Sequence, residues 1–282
     1  MVLTIITINR NNVSGLKKTM QSVLEQAFKD FEYVVVDGAS TDGSVEVIEE
    51  FEPAFGDRLR WISESDKGIY HAMNKGIRMA SGDYVEFLNS GDCLASSDVV
   101  GRMMEVLAKE QFPPILYGNM IKVFPDGHNF KDCCFAGRDI SFLGFYTGTL
   151  NHSPAFIKRS LFDRFGMYDE SLRIVSDWKW YLQTIVLGGV KPVYSDIDVT
   201  VFDMTGISET NKELEQAERK KVLSELIPAS ILSDYDNFST SIDQVKRLKR
   251  HPWAYRIVWF LERSLFKIEK WRIKRTKFSQ YR

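Results

Sequence analysis

Apolar residues along the chain fall into short runs separated by segments that repeat at helical spacing. Val2–Ile8 is a continuous apolar and β-branched run, the signature of a strand covered on both faces. Leu16, Met20, Val23 and Leu24 then recur at helical spacing, and Ser14 is placed to cap that helix. Phe31–Val36 is a second buried strand, ended by Asp37 and Gly38. Ser44–Phe51 reads as a helix, Leu59–Ile62 as a strand and Tyr70–Ala80 as a helix. Tyr84–Leu88 is a fourth strand and Ser97–Lys109 a fourth helix. This alternation predicts an α/β fold with a doubly wound, mostly parallel sheet of the Rossmann-like, nucleotide-binding kind. Right-handed crossovers place the loops after the strands along one edge, where such sheets bind ligands.

The second half is less regular. Ile115–Val123 reads as a strand, and residues 124–150 as irregular. Ser160–Phe165 and Ser176–Gly188 read as helices and Val193–Val201 as a strand. A charged helix over 209–227 ends at Pro228, a polar linker covers 229–242, and a basic segment closes the chain. These breaks predict a main domain over 1–228 and a linker with a helical extension over 229–282.

Composition changes this picture in one respect. The 282 residues carry a net charge of −1, yet residues 243–282 hold 13 Lys and Arg against 3 Asp and Glu, leaving 24 against 35 elsewhere. A basic end on an acidic body points to anionic partners. The three cysteines, Cys93, Cys133 and Cys134, have no zinc-site spacing and suit a reducing, cytoplasmic compartment. The N-terminal run lacks a basic flank and is expected to be a buried strand, not a signal peptide. No apolar run is long enough to span a membrane.

Three strand-end blocks carry the candidate chemistry. Asp37-Gly38-Ala39-Ser40-Thr41-Asp42-Gly43 follows the second strand. A carboxylate there faces the ligand crevice and can accept from a base N–H or from ribose hydroxyls, whereas Asp42 suits a cap for the helix at Ser44. In the second block, Asp66, Lys67 and Gly68 lie in the loop before the third helix, and Asn74 lies within that helix. Lys67 can neutralise a diphosphate or simply be solvated, and Met73 suits the core. The third block is Asn89-Ser90-Gly91-Asp92. A hard divalent cation needs few protein oxygens when a diphosphate supplies the others, so a strand-end Asp suits it; a plain turn is the alternative.

Together the blocks TIITINRNN, FEYVVVDGASTDGS, ESDKGIYHAMNKGIRMASGDYVEFLNSGD and LNHSPAFIKRSLFDRFGMYDESLRIVSDWKWYL resemble the family-two glycosyltransferases of GT-A fold, of the bacterial polysaccharide-assembly type, over residues 1–210. The resemblance implies an inverting, metal-dependent transfer of a sugar from a nucleotide-sugar donor, UDP-linked, to a glycan or lipid-linked acceptor hydroxyl. It implies a donor half over about 1–110 and an acceptor half over about 111–228. It places Asn9 and Arg10 against the nucleotide base, Asp37 on the base, and Asp66, Lys67, Asn74 and Asn89 around the nucleotide sugar. Asp92 is then the remaining carboxylate of the metal block, holding Mg²⁺ or Mn²⁺; Asn89 and Gly91 stand where relatives carry acids. Asp177 falls at the catalytic base, and His152 and Trp178 lie on the acceptor side. Thr205 and Ser208 fall in a loop that closes on the diphosphate. Each also has a plainer structural reading: a helix-start Asp, a loop histidine, a Gly turn.

Other classes fit less well. No Gly-x-Gly-x-x-Gly follows the first strand, which argues against dinucleotide binding. The Gly-rich basic loop of a sugar nucleotidyltransferase is absent as well. A non-catalytic, membrane-associated nucleotide-sugar binder is supported only by the thinned metal block. In the basic segment, Arg256, Arg263, Lys267, Lys270, Lys274 and Lys277 project onto one helical face. Trp253, Ile257, Leu261, Leu265, Ile268 and Trp271 project onto the other. That arrangement suits an anionic membrane surface on the inner face of the cell membrane, or a helix packed on the body; no base-reading motif accompanies it, so no nucleic acid is expected.

Overall fold

The computed structural model describes residues 2–204 and 211–279. Strands β1 (Leu3–Asn9), β2 (Phe31–Asp37), β3 (Leu59–Ser63) and β4 (Tyr84–Phe87) pair in parallel, in the order β3-β2-β1-β4. Helices α1 (Val13–Leu24), α2 (Ser44–Phe55) and α3 (Ile69–Met79) connect them. β1 and β2 are buried on both faces, which is why their sequences run apolar without alternation. Leu3, Ile5, Tyr33 and Val35 join Leu16 and Met20 of α1 and Ile48 and Phe51 of α2 in one core. Each such Leu, Ile or Phe contributes about 1.5–3 kcal/mol by leaving water. α3 packs on the opposite face, closely enough that a Cβ on Gly76 would stand 2.4 Å from Ile6 Cγ2. Any side chain at Gly76 would push α3 off β1.

Beyond β4 the sheet turns mixed. β8 (Ala155–Lys158) runs antiparallel to both β4 and β6 (Ile115–Val123), and β9 (Val193–Asp203) lies parallel to β6. The two-residue β5 (Cys93–Leu94) closes the far edge on β9, ahead of α4 (Val99–Lys109), and β7 (Asn129–Asp132) forms a hairpin with β6. The expected α/β architecture is present, with its parallel part in the first four strands. Register sets the level of the loops: Asn9 stands opposite Asp37, and Asp37 opposite Ser63. The ends of β1, β2 and β3 therefore open at one height.

Several expectations need correction. Asn12, not Ser14, caps α1, its side chain accepting from Gly15 N. Residues 124–150 are not wholly irregular; they hold β7 and α5 (Phe142–Thr147). The helix expected over 160–165 forms as α6 (Ser160–Phe165), whereas that expected over 176–188 is α-helical only as α7 (Ser176–Tyr181), then widens into a π-helical segment, Leu182–Leu187. Residues 229–242 are not a linker but part of a helix, Ala229–Lys249. Their Ser, Asp and Asn content favours turns, while Ile231, Tyr235 and Phe238 keep helical spacing.

The chain divides into two compact units, Met1–Val222 and Leu223–Arg282. In the second, the Pro252–Ser279 helix exposes Trp253, Phe260 and Leu265 by more than half of their surface, at 68%, 68% and 61%. Arg263 stacks on Trp259 at 4.4 Å, and Lys270 lies over Phe266 at 4.9 Å.

Candidate functional site

A cleft of roughly 1150 Å³ opens at the ends of β1 and β4 and runs across to α7. Its walls include Asn9, Arg10, Asp66, Lys67, Asn89 and Asp92 from the parallel half, and His152, Asp177 and Trp178 from the second half. These nine expected residues, scattered over the chain, are thus brought to one cavity. Asp37 and Asn74 are not on its walls. Thr205 and Ser208 lie outside the described residues.

The ends of β1, β2 and β3 are heavily cross-linked. Asp37 is fully buried, and each of its oxygens accepts two hydrogen bonds. Oδ1 takes Asn9 Nδ2 at 2.8 Å and Ser40 Oγ at 2.6 Å. Oδ2 takes Ser40 N at 2.9 Å and Ser63 Oγ at 2.6 Å. Burial raises the Asp37 pKa, but the bonds from Ser40, Ser63 and Asn9 outweigh it and hold the carboxyl below its ordinary range. A nucleoside reaching Asp37 must displace a hydroxyl. Asn9, once its Nδ2 is spent on Asp37, keeps a buried Oδ1 without a partner on the cleft wall. Asp42 accepts from Val13 N at 2.8 Å and from Ser44 N at 3.1 Å, so it bonds the first turn of α2 from one residue outside the N-cap, which is Gly43 rather than the expected Asp42.

Asp66 lies at the mouth of the next loop. Its Oδ1 is shared by His71 Nδ1 at 3.0 Å and Lys75 Nζ at 2.8 Å. Gly38 leaves just the room that Asp66 and Arg10 fill: a Cβ there would meet Asp66 Oδ2 at 3.2 Å and Arg10 Cβ at 3.3 Å. Lys67 is exposed beside it. Asn74, 2% exposed, serves the fold beneath the cleft. It donates to Tyr168 O and Glu170 Oε1, both at 2.9 Å, and accepts from Tyr168 N at 3.0 Å, pinning the strap that carries Glu170.

The turn after β4 is braced by α1. Thr19 Oγ1 accepts from Gly91 N at 3.0 Å and donates to Asp92 O at 2.7 Å, and Asn12 Nδ2 donates to Ser90 O at 3.1 Å. Gly91 has φ +109°, a conformation in which side-chain-bearing residues are strained. The turn holds Asp92 in the wall at 5% exposure. Asn89 Nδ2 stands 3.4 Å from His152 Nε2, and Asn89 Oδ1 is buried without a partner. Among the described residues no three His, Cys, Asp or Glu side chains cluster as metal ligands.

On the opposite wall Asp177, on the first turn of α7, is held by two groups. Its Oδ2 lies 2.9 Å from His152 Nδ1, and its Oδ1 accepts from the Tyr70 hydroxyl at 2.8 Å. Burial pushes the Asp177 carboxyl up, but the His152 bond and charge and the Tyr70 hydroxyl bring it below its ordinary range. Burial lowers His152, while the bond and charge of Asp177 and the charge of Asp92 lift it above the ordinary imidazole value. The outcome is a fixed, ionised carboxylate at the cleft wall. Trp178 donates to Phe145 O and Gly148 O, both at 3.1 Å, while Arg219 lies over its ring at 4.7 Å.

Tyr70, Glu170 and Arg219 also line the cleft, and none was singled out from sequence. Tyr70 stands inside the second motif block, where its spacing from Met73 and Ile77 reads as core. Arg219 lies in a helix so rich in charge that no one residue is marked.

The family Glycosyl transferase family 2 matches residues 4–164. A PGL/p-HBAD biosynthesis glycosyltransferase of Mycobacterium bovis is 28% identical over 211 residues, covering 74% of this chain and 80% of that protein. An uncharacterized glycosyltransferase of Mycobacterium tuberculosis is 32% identical over 209 residues, covering 73% and 76%. Among solved structures, S. aureus TarS 1–349 in complex with UDP-GlcNAc superposes with a TM-score of 0.61 at 19% identity, over 74% of this chain and 61% of that one. The mannosyltransferase PcManGT from Pyrobaculum calidifontis, in complex with GDP-Man and Mn²⁺, gives 0.59 at 19% identity, over 76% and 60%. This chain therefore spans somewhat less than two thirds of those two structures.

Proposed function

The chain belongs to glycosyl transferase family 2, and on that premise we propose that it moves a sugar from a UDP-linked donor to an acceptor hydroxyl, with inversion, in polysaccharide or lipid-linked glycan synthesis. One observation carries the reading: a half-buried carboxylate, Asp177, is held through both of its oxygens by His152 and Tyr70 on the wall of the cleft at the strand ends. The acceptor oxygen forms a bond to the anomeric carbon as the carbon–phosphate-oxygen bond breaks. The bond's electrons leave with the diphosphate, and Asp177 takes the hydroxyl proton. Attack opposite the leaving group inverts the anomeric centre.

In this reading Asn9 and Arg10 hold the nucleoside, Asp37 meets it only by giving up one of its hydroxyl bonds, and Lys67 and Asp66 lie beside the diphosphate and sugar. Asn74 acts from below by fixing the Glu170 strap. Asp92 and the partnerless Oδ1 of Asn89 supply the hard oxygen atoms that Mg²⁺ or Mn²⁺ prefers. Such an ion, when bound, neutralises charge on the departing diphosphate. His152 and Trp178 shape the acceptor side, and Thr205 and Ser208 are assigned to the diphosphate from sequence alone. We assign residues 1–228 to the catalytic domain, with a donor half over about 1–110 and an acceptor half over about 111–228. Residues 229–282 are assigned to an anionic membrane surface at the cytoplasmic face, where a lipid-linked acceptor would be concentrated. No described helix is long and apolar enough to cross a membrane.

Ligand linkage tests the donor and the metal together. A panel of nucleoside diphosphates is expected to raise the melting temperature selectively for UDP, and only with Mn²⁺ or Mg²⁺ present. Asp92→Asn is expected to abolish the metal-dependent part of the shift, which is most of it. An equal shift in chelator, or no shift with any nucleotide, contradicts the assignment.

A further inference from the structure

The Lys212–Leu226 helix is strongly polar, and Glu218 and Val222 are its buried residues. Glu is an expensive side chain to bury, and Glu218 is 8% exposed. Three consecutive backbone N–H groups take up its charge. Arg173 N donates to Oε1 at 2.7 Å, and Ile174 N and Val175 N donate to Oε2 at 2.9 and 3.2 Å. Those peptide groups lead directly into α7, whose first turn carries Asp177. The carbonyl of Ile174 in turn accepts from the Tyr70 hydroxyl, which also reaches Asp177 Oδ1. The Ile174 residue is therefore gripped through its N–H by Glu218 and through its carbonyl by Tyr70.

We propose that Glu218 is a positioning residue for the reaction: it fixes the turn at 173–175 and, through that turn, the aim of the Asp177 carboxylate. Docking of the Lys212–Leu226 helix and assembly of the acceptor-activating group are then one event. The same helix places Arg219 over Trp178, so it bears on the acceptor side at two points. Nothing in the charged pattern of the helix marks Glu218, because its role exists only once residues 173–175 fold against it.

The inference rests on Asp177 being the base, and the test separates the two ideas. Glu218→Ala is expected to lower kcat about a hundredfold, the scale of a small misplacement of a reacting group, with the donor KM changed by less than about threefold. Glu218→Gln keeps one acceptor oxygen and is expected to recover part of that loss. Glu218→Gln and Tyr70→Phe disturb the same peptide segment, so their combined loss should be smaller than the product of the single losses. Wild-type kcat in a folded Glu218→Ala, a rise in KM alone, or single losses that multiply would overturn the proposal. Should Glu218→Ala fail to fold, the cycle with Glu218→Gln decides. An Asp177→Asn variant that turns over like wild type sinks the base assignment. An inactive Asp177→Asn beside a fully active Glu218→Ala sinks only the coupling.

Discussion

At the scale of single residues, the Asp177 side of the cleft is built to keep one carboxylate charged and still. His152 and Tyr70 bind different oxygens of Asp177, so rotation about its side chain breaks a bond on either side. The presence of Asp177 and Asp92 on the cleft wall agrees with the motif positions read from the sequence. The saturation of Asp37 was not legible there, since it depends on Ser40 and Ser63 converging from two different loops. Nor was the service of Asn74 to Tyr168 and Glu170, 94 and 96 residues away in the chain. A further residue is unrelated to the cleft yet tests the packing. Glu86 on β4 is fully buried, and neither of its oxygens has a hydrogen-bond partner. Burial pushes its carboxyl well above the ordinary value of 4.5, so it stays protonated in the fold while the unfolded chain loses that proton above 4.5. The unfolded state then binds fewer protons than the native state, and stability falls with rising pH by about 1.4 kcal/mol per unit up to the raised value. Glu86→Leu is expected to remove that slope. Its gain in melting temperature should be small near pH 5 and large near pH 8; equal gains at both pH values would contradict the burial argument.

At the scale of elements, continuous apolar runs identify β1 and β2 because both faces of each are covered. Helical spacing identifies α1, α3 and α4 for the complementary reason: each buries one face. The elements that escaped are those whose stability is borrowed. β5 has two residues and β8 has four, too short to show a period, and each exists by pairing with β9, or with β4 and β6. The turn at Asn89–Asp92 reads as a loop, yet α1 holds it through Asn12 and Thr19. The first helix is therefore part of the site as much as of the core. The Ala229–Lys249 helix was hidden by side chains that cap and turn when exposed.

At the scale of the whole molecule, the two units differ in character. The first unit holds the cleft and every described residue of the proposed machinery. The second carries exposed Trp253, Phe260 and Leu265 together with Arg256, Arg263, Lys267 and Lys270 on one long helix. Both the charge asymmetry and the aromatic content of this segment were legible in sequence. Phosphatidylglycerol vesicles are expected to co-sediment the protein, with salt weakening the binding. Reversal of Arg263, Lys267 and Lys270 to Glu should cost about a hundredfold or more, from about 1 kcal/mol per basic residue at the surface. Equal binding to neutral vesicles would contradict the electrostatic part of the account.

The central claim is that Asp177 removes the acceptor proton during sugar transfer. It is tested most directly by turnover and donor affinity measured side by side for wild type and Asp177→Asn. The account predicts that turnover falls by about 10²–10⁴, the usual contribution of a general base, while calorimetry finds the nucleotide bound as tightly as before. Undiminished transfer by the variant would contradict it.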